Sequence, residues 1–89
     1  MTAIDNLDRH PGAAQLAHRT AKEHGVTVAA MLGRTRVTEA VRARRALLSL
    51  LHGTLGLGWS ELARLVGCDH STVMALVRKR EAEMRRGLA

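Results

Sequence analysis

The stretch ELARLVGCDHSTVMALVRK, residues 61–79, contains the clearest structural pattern in this sequence. It opens with a short amphipathic helix, for which Ser60 is the expected N-cap, and Gly67-Cys68 then makes a tight turn. A second helix begins at Asp69 or His70. The residues that we expect to face the core recur at helical spacing in both segments: Leu62, Leu65, Val66, Val73, Leu76, Val77 and Met84. Two helices joined by such a turn predict a helix-turn-helix.

Three more helices are predicted before this stretch, and their ends are marked by cap residues and glycines. The first runs from Pro11 to His24 before Gly25, the second follows Thr27 and ends at Gly33, and the third covers roughly 38–53 with Thr38 as its cap. The third should bury an apolar face: Ala40, Val41, Ala43, Leu47, Leu48, Leu50 and Leu51. On its other side fall Arg42, Arg45, Ser49 and His52.

Composition supports the same fold class. Hydrophobic residues make up 46% of the chain, there is one Trp, and Phe and Tyr are absent. Ala, Leu and Met favour helices, whereas strands are rich in aromatic and β-branched residues. We therefore predict an all-α fold, a small helical bundle. The 89 residues fit one domain, expected at residues 10–86 after a flexible N-terminus at residues 1–9.

The positive charge is confined to one part of the chain. The formal net charge is +6 and the sequence pI is about 11.3. Residues 1–33 carry three basic and three acidic side chains, whereas residues 34–89 carry eleven basic and five acidic ones. A small domain this basic is typical of proteins that bind polyanions, nucleic acid first. The excess charge accompanies the predicted helix-turn-helix.

Several other classes of protein are disfavoured. A single cysteine, Cys68, allows no disulfide within the chain, no apolar run approaches the roughly 20 residues of a membrane span, and the N-terminus does not resemble a signal peptide. We expect a soluble cytoplasmic protein. One thiol makes a structural metal site improbable, and adjacent side chains such as His70 and Ser71 point apart on a helix. We therefore predict no metal, no cofactor and no enzymatic activity.

The start of the second helix of a helix-turn-helix contacts base edges in the major groove. In this sequence those residues are Asp69, His70, Ser71 and Thr72. A carboxylate accepts a hydrogen bond from cytosine N4, and hydroxyls adapt to several base edges. Asp69 also suits the N-cap of the helix, so capping and base reading both stand as interpretations of this residue.

Two segments resemble the C-terminal DNA-binding domain, domain IV, of the bacterial replication initiator DnaA. They are GCDHSTVMALVRK (67–79) and HGVTVAAMLGRTR (24–36), and the spacing between them also agrees. The resemblance covers about residues 10–86. It implies a helix-turn-helix bundle of the DnaA domain IV or Trp-repressor type, which binds double-stranded DNA at a DnaA box such as TTATNCACA.

The resemblance also implies roles for individual residues. Asp69, His70, Ser71 and Thr72 would read bases, and Arg36 would enter the adjacent minor groove, whose narrow A·T-rich form attracts arginine. The implied phosphate contacts are Arg34, Arg42, Arg45, Arg78 and Lys79. The alternative for these five is a solvated basic face.

The sequence also departs from the family. The turn before Asp69 is one residue shorter and lacks a basic residue, Trp59-Ser60 replaces the usual Leu-Pro or Leu-Ser, and the chain has no G-x-x-x-x-G-K-[ST] phosphate loop. The expected role is therefore that of a stand-alone relative that acts in, or regulates, replication initiation. The alternative is a protein-interaction module that binds a replication initiator or its regulatory partner. The exact DNA sequence and the oligomeric state are left open, and a membrane-binding role is disfavoured.

Overall fold

The computed structural model describes residues 10–33 and 36–86. These form five helices: α1 Pro11–His24, α2 Val28–Leu32, α3 Thr38–Thr54, α4 Trp59–Val66 and α5 His70–Arg85. No strand occurs in the described ranges, so the predicted all-α fold is confirmed. Residues 1–9 and the predicted phosphate contact Arg34 lie outside the described residues.

The first two helices begin and end where their caps predict. Pro11 is the first residue of α1, and Nδ1 of His10 accepts a hydrogen bond from the amide of Ala13 (3.3 Å). Gly25 ends α1 with a φ of 68°. The hydroxyl of Thr27 caps α2 by accepting from the amide of Ala30 (3.0 Å).

Two predicted caps were wrong. Thr38 is already the first residue of α3, and the N-cap is Val37, which supplies no side-chain cap bond. Ser60 lies inside α4, whose N-cap is Gly58. The amide of Gly58 donates to the carboxylate of Glu61 (3.4 Å), so the helix begins early because a glutamate reaches back to it.

Helix α3 is the centre of the bundle and contacts all four of the other helices. The larger side chains that are completely enclosed come from four helices: Met31, Leu47, Leu48, Leu51, Leu62, Val73 and Val77. Helix α1 packs on α3 with Ala13, Ala17 and Ala21, whose small side chains allow a close approach. One core therefore fixes α3, α4 and α5 relative to each other.

Two residues that we predicted to face the core lie at the surface. Leu50 is 40% exposed and Met84 is 53% exposed. Leu50 is at the edge of the apolar face of α3, and Met84 is in the last turn of α5. Both line a groove beside the C-terminal end of α1, and none of the five described helices covers them there.

Candidate nucleic-acid interface

Helices α4 and α5 are joined by a turn that backbone hydrogen bonds close. Gly67 ends α4 with a φ of 68°, a left-handed conformation that glycine adopts without a steric penalty. The amide of Cys68 donates to the carbonyl of Ala63 (3.1 Å), and its half-buried thiol lies 3.7 Å from the carbonyl oxygen of Val66. The turn therefore fixes the direction in which α5 leaves α4.

The first turn of α5 presents four polar side chains to solvent: Asp69, His70, Ser71 and Thr72. Asp69 is the N-cap, and its Oδ1 accepts a hydrogen bond from the amide of Thr72 (2.8 Å). Capping of α5 by Asp69 is thus correct. That bond uses one of two carboxylate oxygens, so capping and a contact to a base are compatible.

The surroundings of Asp69 lower the pKa of its carboxyl below the ordinary value. The main cause is the hydrogen bond from the amide of Thr72, followed by one from the Thr72 side chain, and the nearby His70 adds a smaller effect. The positive end of the helix dipole also favours a carboxylate at this position. Asp69 is therefore ionised at neutral pH and acts only as a hydrogen-bond acceptor.

His70 is linked to the first helix of the motif. Its Nε2 lies 3.1 Å from the hydroxyl oxygen of Ser60, the second residue of α4. Nearby, the ring of Trp59 stacks on His52, with 4.2 Å between ring centroids and 19° between planes. Nδ1–H of His52 donates to the carbonyl of Leu57 (3.0 Å), so α3 holds the start of α4 in place.

An open groove of about 500 Å³ brings Arg36 to the start of α5. Its lining includes Arg36, Asp69 and Thr72, together with Gly33, Val41, Arg44, Val66, Gly67 and Cys68. Arg36 is exposed and directly precedes Val37, the N-cap of α3. The predicted minor-groove arginine and two of the predicted base-reading residues therefore lie on one side of the molecule.

Arg44 fixes the end of α2, where the segment towards Arg36 begins, and it was not among the predicted site residues. Its Nε donates to the carbonyl of Met31 (2.7 Å), and its Nη2 donates to the carbonyl of Gly33. The signal was its position, because Arg44 lies four residues after Ala40 and seven before Leu51 on the apolar face of α3. A charged residue there needs partners, and the carbonyls at the end of α2 supply them.

Residues 13–79 match the family described as the bacterial dnaA protein helix-turn-helix. The chain belongs to this family. The match includes most of α1, all of α2, α3 and α4, the turn after α4, and α5 as far as Lys79. No curated protein and no solved structure is significantly similar to the chain. This dnaA-type domain is accordingly a DNA-binding domain.

The predicted phosphate contacts of the dnaA-type domain lie in separate places. Arg78 and Lys79 are exposed on α5. Arg78 lies two helical turns after Ser71, and Lys79 lies two turns after Thr72. Each basic residue is therefore on the same face of the helix as its polar counterpart. Arg42 and Arg45 instead line a cavity of about 220 Å³ with His24, Arg80 and Glu83. This cavity shares no residue with the groove at Arg36.

Arg45 is engaged within the dnaA-type domain itself. Its Nη1 lies 2.9 Å from a carboxylate oxygen of Glu83, and only 11% of its side chain is exposed. The ion pair joins α3 to α5. Phosphate binding by Arg45 stays a prediction, and it would require Arg45 to leave or share this partner.

Over residues 10–33 and 36–86, no three His, Cys, Asp or Glu residues are grouped as a metal site would require. None of the five described helices is long and apolar enough to cross a membrane.

Proposed function

We propose that this protein recognises a DnaA-box-like site in double-stranded DNA, with α5 in the major groove and Arg36 in the adjacent minor groove. The observation that carries the proposal is the groove that Arg36 shares with Asp69 and Thr72. Because one face holds both the loop arginine and the start of α5, one duplex can meet both. The family match supports DNA binding in general, and this shared face supports the two-groove mode.

In this proposal the first turn of α5 reads base edges. Asp69, ionised and acceptor-only, suits the amino group of cytosine. The hydroxyls of Ser71 and Thr72 are exposed and serve as donors or acceptors. His70 provides a ring nitrogen for a base edge and apolar ring carbons for a thymine methyl group.

The basic residues hold the duplex in register. Arg36 enters a narrow A·T-rich minor groove, where the negative potential is strongest. Arg78 and Lys79 lie two turns along α5 from the base-reading residues, at a distance that suits the phosphate backbone. We assign Arg34, Arg42 and Arg45 to phosphates at the edge of the interface. All of these contacts release counterions and make binding depend on salt.

A protein that binds DnaA boxes occupies the DNA sites at which the replication initiator acts. We propose that the protein acts in initiation, or regulates it, by occupying boxes or by influencing their occupancy. Its principal partner is double-stranded DNA, with a replication protein as a second partner, and it works at the nucleoid. Catalysis has no part in this role.

The base-reading roles are tested with His70→Ala and Thr72→Ala on a labelled TTATNCACA duplex and on a scrambled duplex. Each variant should lose about 1–3 kcal/mol of binding free energy on the box and little on the scrambled duplex. Arg78→Ala is the control, because loss of a phosphate contact should weaken both duplexes alike. Equal losses on the two duplexes for His70→Ala and Thr72→Ala would show that these residues do not read bases.

A further inference from the structure

Ser60 and His70 belong to different helices of the helix-turn-helix, yet they share a hydrogen bond. Ser60 is the second residue of α4 and His70 is the first of α5, and 3.1 Å separates Ser60 Oγ from His70 Nε2. Both residues are exposed, so core packing does not hold the two side chains together. The bond instead lies at the surface from which α5 would meet DNA.

We propose that Ser60 is a positioning residue for His70 and that the two side chains act as one unit, which sets the base preference at one position of the bound site. The inference rests on the proposed function, because it requires that His70 reach a base. Ser60 itself acts through the imidazole and not through its own contact with DNA.

The chemistry of the imidazole gives Ser60 this influence. A neutral histidine carries one donor nitrogen and one acceptor nitrogen, and a serine hydroxyl can pair with Nε2 in either role. When the Ser60 hydroxyl donates to Nε2, the proton is on Nδ1, which then suits purine N7, guanine O6 or thymine O4. When Nε2–H donates to Ser60, Nδ1 is an acceptor and suits the amino group of adenine or cytosine.

In both arrangements the bond to the hydroxyl holds Nε2 towards α4 and so fixes one ring orientation before DNA arrives. Without it, the exposed ring of His70 exchanges between orientations, and DNA must select one of them at a cost in binding entropy. Loss of Ser60 should therefore reduce discrimination at one base pair. It should not reduce affinity for all DNA, because no positive charge is removed.

The experiment is a selection from randomised duplexes with the wild type, Ser60→Ala, Ser60→Thr, His70→Ala and the double variant Ser60→Ala/His70→Ala. We expect Ser60→Ala and His70→Ala to lower the preference at the same base pair, Ser60→Ala by about tenfold, within the range of one good base contact. Ser60→Thr should keep the wild-type preference because it keeps the hydroxyl. The double variant should be no less selective than His70→Ala alone.

A second measurement detects the hydrogen bond at Nε2 directly in the free protein. The ¹⁵N shift of His70 Nε2 should be the same in the wild type and in Ser60→Thr, and it should differ in Ser60→Ala, which has lost the bond. Identical ring shifts in the wild type and Ser60→Ala would overturn the proposal. So would losses at two different base pairs, or a further loss in the double variant, which would mean that Ser60 contacts DNA itself.

The two proposals fail in different ways. A wild-type protein that selects no sequence at all overturns the proposed function, and the Ser60 inference with it. A wild type that selects a box while Ser60→Ala selects the same box equally well overturns only the inference about Ser60.

Discussion

At the scale of single residues, the start of α5 combines structure and recognition. Asp69 caps the helix through the amide of Thr72, and Thr72 also lines the groove of Arg36. A substitution here changes both the helix end and the DNA surface. The informative variants are therefore those that keep the helix cap and change the DNA-facing surface, or the reverse.

The lowered pKa of Asp69 gives a prediction about acid stability. A group whose pKa is lower in the folded protein than in the unfolded chain stabilises the fold above its unfolded pKa, and this contribution is lost as the pH falls through the folded pKa. We expect wild-type stability to fall more steeply than that of Asp69→Asn below about pH 4, the ordinary range of an aspartate. Asn retains the cap without a titrating group.

Urea unfolding of both proteins between neutral and acidic pH checks this expectation. Glu81→Gln is the control, because it removes an exposed carboxylate from the same helix without touching the cap. Parallel pH profiles for the wild type and Asp69→Asn would contradict the assigned role of the Asp69 carboxylate.

Arg44 gives a second prediction at this scale. Arg44→Ala removes two donors from the carbonyls of Met31 and Gly33, so we expect the free energy of unfolding to fall by about 1–3 kcal/mol. The loop that carries Arg36 also loses its anchor, and affinity for the box should fall. In an Arg36→Ala background the same change should have little further effect on affinity. Equal losses in both backgrounds would mean that Arg44 contacts DNA independently of Arg36.

At the scale of helices and turns, the direction of α5 depends on Gly67. A Cβ at Gly67 meets no atom within 4 Å, so Gly67→Ala costs only the strain of its left-handed backbone. We expect a loss of about 1–2 kcal/mol in stability, together with weaker binding to the box as the turn shifts.

Gly25→Ala is the matched control for this turn. Gly25 has the same φ of 68° and equally open surroundings, but it ends α1. Gly25→Ala should lower the free energy of unfolding by a similar amount, which thermal or urea unfolding measures. Its DNA affinity should fall only as far as the smaller folded population requires. If the two variants bind DNA equally, the direction set by the turn at Gly67 does not control recognition.

The ion pair between Arg45 and Glu83 connects α3 with α5, and its contribution to stability can be predicted. Arg45→Ala and Glu83→Gln both break the pair, and each should lower stability by about 1 kcal/mol or less. If Arg45 also binds a phosphate, only Arg45→Ala lowers the salt dependence of DNA binding, by about one counterion. An unchanged salt dependence in Arg45→Ala would mean that the residue serves only to join the two helices.

At the scale of the whole molecule, the helix pattern and the turn before α5 were predictable because their signals are local. Pro11, Thr27 and the glycines at 25 and 67 act within one turn of chain. Thr38 and Ser60 misled the prediction because other residues nearby supply the N-caps. The position of a cap depends on which of several neighbours completes the first turn.

The candidate site was predictable only in part, because its assembly depends on contacts between distant residues. The helix-turn-helix pattern is enough to predict which residues begin α5. The hydrogen bond between Ser60 and His70 was not predictable, because it depends on how α4 crosses α5. The ion pair of Arg45 likewise joins segments far apart in sequence. The exposure of Leu50 and Met84 reflects the end of the bundle, which helical periodicity does not reveal.

The central claim, recognition of a DnaA-box-like site, is tested most directly by the anisotropy of a labelled TTATNCACA duplex and of a scrambled duplex of the same length, each titrated at two salt concentrations. We predict at least about 10³-fold tighter binding to the box, with the preference retained at the higher salt concentration. Equal affinities for the two duplexes that fall together as salt rises would contradict the claim, because phosphate contacts alone produce that result.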